Sequence, residues 1–157
     1  MALHGTIACI VLYPGGNSDA YFQKTFAIYE NDYQKALQKI ARIDWQKLKD
    51  WFLSIIAIAK NKLMETGKKE DEIKIAVVIE RPMINAERFK QSKNAARAFE
   101  STIMVLEMVG LKENYIVIDS KKWQHYLFGK NTISLDLKAE SKKTGIEYVK
   151  KMKFNGR

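Results

Sequence analysis

Glu80 is the acid best placed for chemistry, because it closes Ile73-Lys-Ile-Ala-Val-Val-Ile79, a nearly continuous β-branched run. Such a run predicts a buried central strand, and open α/β sheets hold their sites at the carboxyl ends of strands. A carboxylate emerging there suits metal-assisted phosphodiester chemistry, since hard divalent cations take oxygen ligands and a phosphate completes their shell. That chemistry needs two or more converging carboxylates; the plainer reading of Glu80 is an acid that marks the strand end, paired with Arg81. Lys90, Lys93 and Arg97 follow at i, i+3 and i+7, so their heads form one stripe on the next predicted helix. The stripe is either a solvated helix face or a row of phosphate contacts. Trp123 and Tyr126, beside Lys121 and Lys122, are either core residues at helical spacing or a platform for stacking on bases.

Other catalytic constellations are missing from the sequence. His4, His125 and Cys9 cannot build a Cys/His zinc site, and there is no Gly-rich phosphate loop or Gly-x-Ser-x-Gly elbow. Cys9 reads as a buried small hydrophobe and His125 as a local packing or capping residue. The chain has 157 residues, 46% of them hydrophobic, with 8 Gly and 2 Pro, which predicts one compact domain without a linker. The longest apolar run, Leu53 to Ala59, is interrupted by Ser54 and too short to cross a bilayer, so no membrane is expected. The first residues lack the pattern of a signal peptide, and a single cysteine forms no internal disulfide, so the expected compartment is the cytoplasm. Lys and Arg total 27 against 18 acids, a net charge of +9 that favours an anionic partner such as nucleic acid. From Asp119 to Arg157 ten basic residues face four acids, so the last quarter carries most of that excess.

The elements that must position these residues follow from periodicity. Gly5 to Tyr13 reads as a strand, Pro14 to Ser18 as a turn and Ala20 to Tyr29 as a second strand, together a β-hairpin. Asn31 to Ile43 predicts a short helix. Asp44 caps a longer one, in which Trp45, Leu48, Trp51, Phe52, Ile55, Ile56 and Ala59 recur at helical spacing until Gly67 ends it. After the strand at 73–79 comes a helix from about Glu87 to Val109, with Ala96, Phe99, Ile103 and Leu106 on one face and Gly110 as its stop. Tyr115 to Ile118 is a short strand, Ser120 a cap, Lys121 to Phe128 a short helix, and Leu135 to Lys153 a last helix. A hairpin followed by alternating helices and strands implies an α/β fold, with antiparallel strands at one side of the sheet and parallel ones at the other.

In that order, Ala76-Val-Val-Ile-Glu-Arg-Pro82, the helix with Gln91, Ala95, Ala96 and Gly110, Ser120-Lys-Lys-Trp-Gln-His-Tyr-Leu-Phe-Gly129, and Leu137-Lys-Ala-Glu-Ser-Lys142 resemble RuvC-like Holliday junction resolvases. The resemblance covers residues 74–152 well and the hairpin more loosely. It implies an RNase H-like mixed sheet flanked by helices, spanning 1–157 as one domain. It also implies a structure-specific endonuclease that cuts branched DNA with Mg²⁺ or Mn²⁺ held by four acids, commonly as a homodimer. Glu80 matches the second of those acids, and Lys138 a lysine near the scissile phosphate. The lysine that often follows the tryptophan is Gln124 here, with Lys121 or Lys122 as substitutes. Lys142 belongs to the same basic surface.

The family's first acid ends a strand in Asp-Pro-Gly, whereas this chain offers Tyr13-Pro14-Gly15 or begins at the equivalent of the second strand. Its closing acidic helix has no counterpart before Arg157. The expectation is therefore a domain incomplete at both ends, with Asp136, Glu140 and, more weakly, Asp19 as substitute ligands. The rival readings are a non-catalytic DNA-binding module and a truncated family remnant.

Overall fold

A computed structural model describes residues 6–31, 39–82, 87, 89–128 and 143. Residues 1–117 and 118–157 form two compact units. In the first, β1 (Thr6–Leu12) and β2 (Ser18–Lys24) pair antiparallel, from Thr6 opposite Lys24 to Leu12 opposite Ser18. Their turn is closed by the Tyr13 N–H, which donates to the Asn17 carbonyl at 2.9 Å. The strand expected from Ala20 to Tyr29 is in fact two. The Ala27 N–H turns back to the Thr25 carbonyl at 3.0 Å, and β3 (Ala27–Asn31) starts there.

The helix expected from Asn31 to Ile43 is corrected where the structure describes it. Asn31 ends β3, and Lys39–Ile43 is strand β4, antiparallel to β3 from Ala27 opposite Ile43 to Asn31 opposite Lys39. Lys39 and Ala41 are good helix formers, so local preference points the wrong way. Pairing wins because the strand buries Ile40, Ala41 and Ile43, while Arg42 reaches Glu30 at 3.1 Å across the ladder.

Helix α1 (Trp45–Glu65) is capped as predicted: the Asp44 carboxylate accepts the Lys47 N–H at 3.2 Å. Its stripe buries Leu48, Phe52 and Ile55, with Trp51 and Ile56 packed beside them, whereas Trp45 in the first turn is exposed. Gly67 ends the helix at φ +89°, its N–H donating to the Met64 carbonyl at 2.9 Å and that of Lys68 to Leu63 at 3.3 Å. Those two bonds form a Schellman stop, which favours a residue free to adopt positive φ.

After a 3₁₀ turn at Glu70–Glu72, strand β5 is Val77–Glu80, shorter than the predicted run, and it pairs with β6 (Tyr115–Ile118). The Val77 N–H donates to the Asn114 carbonyl at 2.8 Å, and the Asn114 amide to the Ile75 carbonyl at 2.9 Å. The two strands are therefore matched start to start, a parallel pair joined by helix α2 (Phe89–Met108). α2 packs on α1 and β4, and ends at Gly110, φ +78°, in a second Schellman stop.

The expectation of a strand buried on both faces is also corrected. Ile79 is buried, but Val78 is 58% exposed and Ile116 on β6 is 61% exposed. The core lies on one side of β5, where Ile79 meets Leu48 and Phe52 of α1, Ala98, Val105 and Leu106 of α2, and Ile7, Ala41, Ile43 and Leu111. Each such large aliphatic side chain contributes about 1.5–3 kcal/mol by leaving water. Thr102, buried among them, donates its hydroxyl to the Ala98 carbonyl at 2.7 Å, so no polar atom is stranded there.

In the second unit, α3 (Ser120–Phe128) follows β6 after one residue. The cap stands one position earlier than expected: the Asp119 carbonyl accepts the Lys122 N–H at 3.0 Å. The helix predicted from Leu135 to Lys153 lies outside the described residues, except for Lys143, which is helical and exposed. The described elements amount to a mixed α/β architecture with antiparallel and parallel pairs. No helix among the described residues is long and apolar enough to cross a membrane.

Candidate functional site

Glu80 is the last residue of β5 and is exposed. The period-two alternation of a strand puts it on the same face as Lys74, Ala76 and Val78, all exposed, with Ile75, Val77 and Ile79 turned inward. The carboxyl-end placement expected from sequence is therefore found, and the parallel pairing with β6 comes with it.

A two-metal centre needs further acids at that point. Among the described residues no group of three or more His, Cys, Asp or Glu side chains could hold a metal ion. Asp19, the weakest of the expected substitute ligands, is the second residue of β2, and its carboxylate is already engaged. One oxygen, Oδ2, accepts from Lys62 Nζ at 2.7 Å and from the Tyr13 hydroxyl at 2.8 Å. These donors hold the Asp19 carboxyl below its ordinary range, Lys62 foremost, and the same contact raises the Lys62 ammonium. Lys62 also stands 5.2 Å from the Tyr21 ring centroid, so the cluster fastens the hairpin to the last turns of α1. Asp136 and Glu140 lie outside the described residues. The described residues do not fit a two-ion Mg²⁺ or Mn²⁺ site.

The basic residues fare unevenly. Lys93 on α2 is exposed, as the stripe requires. Arg97 is only half exposed, and its Nη1 is shielded from solvent without a hydrogen-bond partner, so the stripe is not an open row of cations. Lys90 lies on α2 and Lys121 on α3, while Lys138 and Lys142 fall outside the described residues. Lys122 on α3 is exposed.

Two aromatic residues separate on the same short helix. Trp123 is half-buried, whereas Tyr126 is 89% exposed and not part of a core. The signal available in the sequence was the spacing of Lys122 and Tyr126, i and i+4, which puts both on one helix face. Cys9 is half-buried, and burial pushes its thiol up and away from the reactive thiolate. The chain matches no family model, no curated protein and no solved structure.

Proposed function

We propose that the chain is a RuvC-like protein of RNase H-like fold that binds branched DNA, with Glu80 at the position of one catalytic acid. The observation that carries this reading is the β5–α2–β6 unit, which brings an exposed Glu80 to the carboxyl end of a strand paired in parallel with β6. Its sequence resemblance to the resolvases and its charge of +9 support the same assignment. A cytoplasmic homodimer acting on a four-way junction completes the proposal.

The non-catalytic form of this function is favoured by one further observation: Asp19 spends its carboxylate on Lys62 and Tyr13. The test pairs a binding measurement with a cleavage assay in Mg²⁺, on a four-way junction and on linear duplex of the same sequence. The expected result is preferential junction binding, with weak or absent cutting. Robust Mg²⁺-dependent cutting that Glu80→Gln abolishes would establish an active resolvase, completed by acids outside the described residues. Failure to bind either DNA at low salt would refute the DNA assignment.

A further inference from the structure

We infer that α3 presents a stacking site for an unpaired DNA base, built from the Tyr126 ring with the Lys122 ammonium one turn before it; this deepens the DNA-binding reading above and rests on it. Tyr126 has the highest exposure, 89%, of the large hydrophobic side chains described. Aromatic rings usually serve cores and interfaces, and this one makes no ring contact, hydrogen bond or ion pair among the described residues. Lys122 is likewise exposed and makes no ion pair among the described residues. A ring face and a cation one helical turn apart match the two halves of a nucleotide, because the base stacks on the ring while the phosphate meets the ammonium. Within a duplex the base faces are already covered by their neighbours. Such a site therefore selects single strands and the unstacked bases of a branch point.

Fluorescence anisotropy on the full chain, with labelled oligo(dT) and with a duplex of equal length, tests the inference. Tyr126→Ala should weaken oligo(dT) binding about 5- to 150-fold, the range of one base–aromatic stack, and leave duplex affinity unchanged. Tyr126→Phe should keep the single-strand affinity, since it keeps the ring. Lys122→Ala should flatten the salt dependence on oligo(dT) by about 0.7 in log–log slope. An unchanged circular dichroism melt for Tyr126→Ala separates a missing stack from a failure to fold. Wild-type affinity for oligo(dT) in Tyr126→Ala, or an equal loss on duplex, would overturn the stacking site and leave DNA binding standing. Absence of binding to both forms by the wild type would instead overturn the DNA reading itself.

Discussion

Two neighbouring residues of β5 should respond very unequally to substitution. Ile79 is 5% exposed and belongs to the core between α1 and α2, whereas Val78, one residue earlier, faces away from it. Ile79→Ala removes buried methyl groups and leaves a cavity that the packed helices cannot fully close, a loss of about 2–5 kcal/mol. For a chain of this size that corresponds to a fall in Tm of about 4–20 °C. Val78→Thr keeps the β-branched shape and adds a hydroxyl on an exposed face, so its cost should stay within about 0.5 kcal/mol. Urea unfolding followed by circular dichroism reads both changes as shifts in midpoint at constant slope. The refuting result is a Val78→Thr loss as large as that of Ile79→Ala, because it would mean that β5 is covered on both faces. The outcome bears on Glu80 directly, since Glu80 shares the Val78 face.

Three further outcomes are expected. Asp19, whose carboxyl is held low by Lys62 and Tyr13, contributes stability that is complete above the unfolded value of about 3.9 and is lost as pH falls through the lower folded value. Urea midpoints of wild type and Asp19→Asn should thus differ by a constant amount near neutral pH and converge in acid; a gap that persists below both values would count against the link. Gly110→Ala places a Cβ in open space at φ +78°, so its cost is backbone strain alone, about 1–2 kcal/mol in urea unfolding. Replacing Lys138 and Lys142 together with Ala should reduce the salt slope of duplex binding by about 0.9 for each phosphate these lysines neutralise, and an unchanged slope would place the DNA surface elsewhere.

What the sequence made legible is local. The Asp44 cap, the Gly67 and Gly110 stops, the span of β6 and the strand end at Glu80 each follow from a few adjacent residues, and each is found. Lys39–Ile43 failed because helix formers were outweighed by a ladder with β3, a partner that local propensity does not register. β5 failed differently: its apolar run carries no mark of which face is covered, and coverage depends on how α1 and α2 pack. Tyr126 was legible in spacing but not in exposure, for the same reason.

The candidate site divides along that line between local and tertiary information. That an acid ends a strand is written in consecutive residues, so Glu80 can be read directly. That several acids converge on it is a property of the whole fold, and Asp19 illustrates the difference. In sequence it is a spare carboxylate beside a turn, available to a metal. In the structure an ammonium at 2.7 Å and a hydroxyl at 2.8 Å already share one of its oxygens, and the pair ties β2 to α1. A cation taking that oxygen would compete with Lys62, a like charge held against the same atom, and would loosen the hairpin as it did so. Asp19 therefore serves the fold rather than the chemistry.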